Sequence, residues 1–409
     1  MNFIDLFAGA GGLSEGFIRA GFTPIAHVEM DKAACCTLLT RTAYHYLKDN
    51  SNQQIYYAYL KGDISRKELY NNLPEAKKES VINLPVGNKF NDVIFRKIDK
   101  LKGEKSVDLI IGGPPCQAYS VVGRAPLKHK TNDERTTLYI QYGRYLKKYD
   151  PKVFVFENVP GILTAAEGKY YDNLRKYYKR LGYNVEARLL NAYDYGVVQN
   201  RNRVFIIGWK KEIDFSYPDL KTENIRYFRD EIFSDLPAIG PGETRRVMEY
   251  SGLTNNYLEQ FCIRNGMDFV TQHNTRPHNK NDLKIYKLAI ERLNEGERLK
   301  NNQIPPEIRT QKNISDFLDR FKVVAEEPHT MIAHIAKDGH HFIHPDKKQL
   351  RSISIREAAR IQSFPDDYFF EGVKAEQYRT AALRQIGNAV PPIMGERIAT
   401  GIKLMINKS

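Results

Sequence analysis

Short apolar runs that end in glycine or a charged residue recur along the first half of the chain, separated by stretches of helical periodicity. Phe3, Ile4 and Leu6 make the first run, which stops at Gly9, Gly11 and Gly12. A helical face of Phe17, Ile18 and Ala20 follows, up to Gly21. PIAHVEMD, residues 24–31, predicts a second strand ending in Glu29 and Asp31. Residues 32–61 read as helix plus connection, then GDI at 62–64, then a polar, lysine-rich surface elaboration over 65–106 with one or two helices. A strand over 107–111 leads into a loop. An amphipathic helix over 132–149 sets Leu138, Tyr142, Tyr145 and Leu146 on one face. A buried strand within 151–163, a basic helix over 168–181 and strands over 185–192 and 199–209 complete this half. Continuous apolar strands alternating with helices predict an α/β fold with a mostly parallel sheet.

The alternation fades over 211–350, where His, Arg and Asn are frequent, and this stretch reads as a second domain. ISIREAARIQSF (353–364) then predicts a helix, with Ser354 and Glu357 spaced as a capping box and Pro365 as its stop. The chain closes with a loop and an amphipathic helix over 385–406. The expected division is 1–210 completed by 376–409, a separate unit over 211–350, and 351–375 joining the two.

Composition narrows the class. With 409 residues and 42% hydrophobic positions, a sizeable core is available. The net charge of +13 favours a polyanionic partner, nucleic acid first, without separating DNA from RNA or an anionic membrane. The four cysteines, Cys35, Cys36, Cys116 and Cys262, form no CxxC, so neither a zinc ribbon nor a disulfide framework is expected, and a reducing cytoplasm fits. Asp5 interrupts the apolar N-terminus, which does not read as a signal peptide, and no apolar run is long enough to cross a membrane.

Two stretches carry chemistry. DLIIGGPPCQAYS, residues 108–120, places Cys116 on a stiff loop at the end of a strand, where open α/β sheets hold their active sites. The turn GAGG, residues 9–12, with acidic Glu29 after the next strand, has the layout of a nucleotide-type cofactor site. Its spacing is not GxGxxG, so a dinucleotide fold is not inferred.

FIDLFAGAGG, GGPPCQAYS, ENVPGIL, QNRNRVFIIG, SIREAARIQSFP and QIGNAVPP occur in that order. Together they resemble the successive signature motifs of the DNA cytosine-5 methyltransferases of the bacterial restriction–modification type. The resemblance covers the first 210 residues with gaps, and 350–395. It implies a class I, Rossmann-like S-adenosylmethionine-dependent methyltransferase domain and a smaller, irregular target-recognition domain over 211–350. The substrate it implies is a cytosine flipped out of double-stranded DNA. Cys116 matches the nucleophile that adds to carbon 6 of the ring and makes carbon 5 reactive. Glu157 matches the group that holds a proton at ring nitrogen 3, and Arg203, with Arg201, the cations at oxygen 2 or a nearby phosphate.

The resemblance likewise implies a cofactor pocket. Phe7, Ala8, Gly9, Gly11 and Gly12 belong to the first turn. Glu29 matches the ribose contact and Met30 the cover of the adenine. Asp63 and Ile64 match the adenine edge, and Pro115 and Leu138 the adenosine pocket. Asn388 and Ala389 close the methionine end. Gln117 and Ser120 beside the nucleophile, and Asn274 and Arg276 in QHNTRPHNKN, are the DNA-binding candidates. Met30 departs from the family, where an aromatic residue commonly follows the glutamate. The histidines His329, His334, His340, His341 and His344 show no standard ligand spacing, and no metal is expected.

A cognate restriction endonuclease acting on the same site is a further partner the resemblance allows. A monomer on DNA, cytoplasmic and nucleoid-associated, is the expected working state. A tRNA-modifying enzyme of the same fold and a non-catalytic DNA-binding subunit are the alternative readings. The large middle region weighs against the first, and the intact Cys116, Glu157 and Arg203 set against the second.

Overall fold

The computed structural model describes residues 1–115, 137–310 and 318–407. Its centre is a seven-stranded sheet built from β1 (Asn2–Leu6), β2 (Thr23–Glu29), β3 (Val81–Asn83), β4 (Leu109–Gly112), β5 (Val153–Asn158), β6 (Tyr183–Asn191) and β7 (Asn202–Lys210). The order is β3-β2-β1-β4-β5-β7-β6. β1 to β5 run parallel, and β7 lies antiparallel between β5 and β6. The order reverses between β1 and β4, the point at whose carboxyl ends open α/β sheets hold their ligand crevice.

Because side chains alternate across a strand, each apolar run feeds two cores. Phe3, Leu109, Ile111, Val153, Val155, Phe205 and Ile207 face one side. Leu13 and Phe17 of the helix Gly12–Arg19 cover them, with Met394, Ile398 and Ile402 of the helix Pro392–Ile406. Ile4, Leu6, Ile110, Phe154, Phe156, Val204 and Ile206 face the other side. There the helices Asn91–Lys102, Leu138–Tyr149 and Lys169–Arg180 close over them. The last helix thus returns to the first. A Cβ at Gly16 would stand 2.5 Å from the Pro392 carbonyl oxygen, so only glycine allows this crossing.

The 65–106 stretch is more than a surface elaboration. It holds three helices, Arg66–Asn71, Glu75–Glu79 and Asn91–Lys102, and it supplies β3, the edge strand of the sheet. Three residues, Val81-Ile82-Asn83, are too few to show periodicity. Residues 32–61 form two helices, Lys32–Asp49 and Gln53–Lys61, broken at Ser51 in the left-handed region (φ 57°).

The capping box at Ser354 is present. The Ser354 hydroxyl accepts from the Glu357 amide, and the Glu357 carboxylate accepts from the Ser354 amide. The helix spans only Ile355–Ile361, ending before Pro365. Every residue from Arg351 to Gly372 is buried, charged ones included. Arg351 clasps Glu357 through two bonds of 2.7 Å, and Arg360 reaches both Asp366 and Asp235. Such paired burial of charge satisfies donors that an apolar core would strand.

Candidate active site

The crevice is assembled from strand ends. Phe7 leaves β1 with φ 58°, a conformation costly for a bulky side chain, and such strain gathers at ligand sites. The Ala8 amide donates to the Val28 carbonyl, which fixes the turn beside β2. Gly9 and Gly11 take positive φ, and a Cβ at Gly9 would meet nothing within 4 Å. That bare backbone at the foot of the crevice is what a close-lying cofactor needs. A Cβ at Gly12 would stand 2.1 Å from the Val390 carbonyl oxygen. The C-terminal segment carrying Asn388 and Ala389 therefore lies directly against the glycine turn, with Asn388 exposed and Ala389 buried. Gly12→Ala is expected to push these segments apart. It should lower the melting temperature and weaken cofactor binding together, as read by melting and calorimetry.

Glu29 ends β2 and accepts from the Gly9 amide and the Asp31 amide, each at 2.8 Å. Burial pushes its carboxyl above the usual value while these amide bonds pull it back. With Met30 as a third backbone donor, the carboxylate still has an acceptor direction left for a hydroxyl. Met30 beside it is 64% exposed, an apolar cover at the rim.

Asp63 and Ile64 are not brought to this crevice. They follow the C-terminus of the helix Gln53–Lys61, where the Asp63 amide donates to Ala58, and Gly62 packs on the Arg246 side chain. The residue that stands at the end of β3, paired with Glu29, is Asn83. Its amide nitrogen donates to the Glu29 and Met30 carbonyls at 3.1 and 3.0 Å. Sequence reading missed it because GDI has the familiar letters, whereas the short strand before Asn83 carries no pattern. Leu138 opens the helix Leu138–Tyr149 half-buried, and Pro115 is exposed at the end of the described β4 loop.

Cys116, Gln117 and Ser120 lie outside the described residues. The segment Gly113–Pro114 ahead of them is fixed. A Cβ at Gly113 would stand 2.6 Å from Glu157 Oε2, so the loop leaves β4 against the carboxyl that ends β5. Asn158 donates to the Pro114 carbonyl at 3.1 Å, pinning the loop two residues before Cys116. Arg203 Nε lies 3.0 Å from Glu157 Oε1. Burial raises the Glu157 carboxyl above its ordinary value, and Arg203 and then Arg201 pull it partly back. Cys35 and Cys36 are poor nucleophiles. Burial and Glu29 push the Cys35 thiol up to about 12, and burial raises Cys36 as well.

Three further residues sit otherwise than expected. Arg201 is buried, and its guanidinium donates to the Met331, Gly387 and Ala389 carbonyls, so its charge is spent on backbone rather than on a substrate oxygen. Asn274 accepts from the Arg245 amide and donates to the Tyr378 hydroxyl. Arg276 donates to Ile335 and Lys337 carbonyls. The QHNTRPHNKN cluster therefore spends these two side chains on internal ties rather than presenting them to a base. Among the described residues, no three of His, Cys, Asp or Glu stand as a metal site. Among the same residues, no helix is long and apolar enough to cross a membrane.

A class I sheet with a glycine turn at its switch point, and a carboxyl–arginine pair against the segment Gly113–Pro114 that leads to Cys116, has the layout of a methyltransferase of cytosine-5 type. Residues 1–65 and 75–404 match the family model of C-5 cytosine-specific DNA methylases, and the chain belongs to that family. Its reaction is accordingly methyl transfer to carbon 5 of a cytosine in DNA. The chain is 40% identical to the type II methyltransferase M.Bpa9945I of Bacillus paralicheniformis, covering 100% of this chain and 99% of that one. It is 32% identical to the type II methyltransferase M.DdeI of Desulfomicrobium norvegicum, covering 98% and 88%. A solved prophage-encoded chain from E. coli, ascribed to DNA modification methyltransferases, shares the fold with a TM-score of 0.65 at 23% identity, over 100% of this chain and 99% of that one.

Proposed function

We propose that the chain takes its methyl group from S-adenosyl-L-methionine and modifies a cytosine within a specific duplex sequence, as the modification enzyme of a restriction–modification system. The observation that carries this reading is the Glu157–Arg203 pair set against the base of the Cys116 loop. The crevice fits the cofactor: glycine backbone with open space at Gly9, and a carboxylate at Glu29 for ribose hydroxyls. When bound, S-adenosyl-L-methionine supplies an electrophilic methyl group. Asn388 and Ala389 close the crevice from the C-terminal side.

The Cys116 thiolate adds to carbon 6 of the flipped cytosine, breaking the ring's aromaticity and making carbon 5 nucleophilic. Glu157, kept toward its protonated form by burial, holds a proton at nitrogen 3, and Arg203 faces the charge that gathers at oxygen 2. Loss of the carbon 5 proton and of the thiolate restores the ring. Residues 211–350 are the proposed recognition domain, with reading groups other than Asn274 and Arg276. Wild-type protein incubated with labelled S-adenosylmethionine should label duplex DNA and leave tRNA unlabelled. It should also form a covalent adduct at Cys116 with a 5-fluorocytosine duplex. Labelled tRNA, or an adduct at Cys35 or Cys36, would overturn the reading.

At the adenine end, Asn83 takes the place expected for Asp63. Its side-chain oxygen is the acceptor available at the end of β3. Asn83→Ala should weaken S-adenosylhomocysteine binding by about 1 kcal/mol, whereas Asp63→Ala should leave it unchanged. Isothermal calorimetry on both variants checks the assignment, and the reverse order of effects would restore Asp63.

A further inference from the structure

Gln199, Arg201 and Gln362 form a polar node without solvent contact, although Gln199 and Gln362 lie 163 residues apart in the chain. Gln199 and Arg201 precede β7, and Gln362 follows the helix Ile355–Ile361. Gln199 Nε2 donates to the Ile361 carbonyl at 3.1 Å and to Gln362 Oε1 at 2.9 Å. Met331 is held at both ends: its amide donates to Gln199 Oε1 and its carbonyl accepts from Arg201, each at 2.6 Å. The carbonyls of 386–389 are the other target. Gln362 Nε2 reaches Ile386 at 2.6 Å and Ala389 at 3.3 Å, and Arg201 reaches Ala389 at 3.0 Å and Gly387 at 3.3 Å.

These bonds join places where chemistry is set. The 387–390 segment presses on the Gly12 turn, where the Val390 carbonyl leaves no room for a Cβ. Gly387 packs on Ile332 and Ala333 so closely that a Cβ would stand 2.3 Å from the Ala333 nitrogen. Two residues beyond Arg201, Arg203 meets Glu157. One guanidinium therefore fixes the backbone that closes the cofactor crevice and the start of the strand that aims the substrate-facing arginine.

We infer that Arg201, braced by Gln199 and Gln362, is a positioning residue that couples closure of the cofactor crevice to placement of Arg203 against Glu157. The inference rests on the reading that the cofactor lies on the Gly9–Gly12 turn. Gln362 grips the closing segment directly and the approach to β7 only through Gln199, so its loss should fall mainly on binding. Arg201 grips that segment and leads directly into β7, so its loss should affect binding and turnover.

The test uses the full chain and compares Gln362→Ala, Arg201→Lys and Arg201→Met. It measures S-adenosylhomocysteine affinity by calorimetry, kcat and KM for S-adenosylmethionine on duplex DNA, and thermal melting as a check of folding. Gln362→Ala should raise Kd and KM about tenfold with kcat nearly unchanged, while Arg201→Met should raise both and also lower kcat by about 10²-fold, the scale of a small misplacement of reacting groups. Arg201→Lys should fall between wild type and Arg201→Met. If Arg201→Met does not fold, Arg201→Lys and Gln362→Ala decide.

Folded variants with wild-type Kd, KM and kcat would overturn the inference. A folded Arg201→Met that loses kcat with unchanged Kd would also overturn it, making Arg201 a catalytic residue. Wild-type protein that binds no S-adenosylhomocysteine would instead overturn the cofactor reading.

Discussion

Cys116→Ala is expected to abolish methyl transfer while duplex binding persists, because the thiol forms a bond and reads no sequence. Glu157→Gln should lower kcat by about 10²–10⁴-fold, the contribution of a positioned acid. The pH dependence of turnover tests the role of Glu157. The Glu157 carboxyl is raised by burial and drawn down by Arg203. If its protonated form serves nitrogen 3, turnover falls as pH rises through that raised value, and Glu157→Gln loses this limb. Arg203→Met removes the cation that stabilises the carboxylate. It should therefore move the limb to higher pH while lowering the rate. A pH–rate profile of the three proteins on one duplex reads both shifts. A limb that moves to lower pH in Arg203→Met would remove Glu157 from the role.

How much of this was legible in the sequence depends on the length of the signal. β1, β2, β4, β5, β6 and β7 were each announced by clustered apolar positions, as in Leu109–Ile111 and Val153–Phe156, and the capping box at Ser354 by two letters three apart. β3 was not, because three residues cannot display a period, and with it went the correct reading of Asn83. The glycine turn, Glu29, Glu157 and Arg203 converge because their motifs end strands, and strand ends are where a parallel sheet brings distant residues together.

Arg201 shows the opposite limit. Its motif letters match the family, but whether a guanidinium meets a substrate or backbone carbonyls 130 and more residues away is decided by tertiary packing. The same holds for Asn274 and Arg276. A polar cluster without periodicity looks the same whether it faces DNA or ties loops together, and here the carbonyls of Ile335 and Lys337 claim the arginine.

The histidines of the second half supply the other large prediction, a loss of stability in mild acid. His340 and His344 are almost wholly buried, and burial depresses each to about 4. His329 falls to about 4 and His278 to about 3 for the same leading reason, and His273 and His341 are lowered too. Their neutral rings are used as such: Tyr286 lies 2.7 Å from His340 Nδ1, and the Asp346 amide donates to His344 Nδ1. A histidine whose folded pKa lies below its unfolded value binds fewer protons when folded. Its stabilisation is then whole above the unfolded value near 6.5 and is lost as pH falls from there toward about 4. For His344 alone the loss at pH 5 is about 2 kcal/mol. The buried carboxyls raised by burial, Glu29 and Glu371 among them, act in the opposite sense and offset part of it. Six histidines depressed together should still dominate between pH 6.5 and 5. Urea unfolding across this range should show stability falling with pH, with a shallower slope in His344→Gln. A protein whose stability is flat or rises from pH 6.5 to 5 would show that these rings protonate without cost in the folded state.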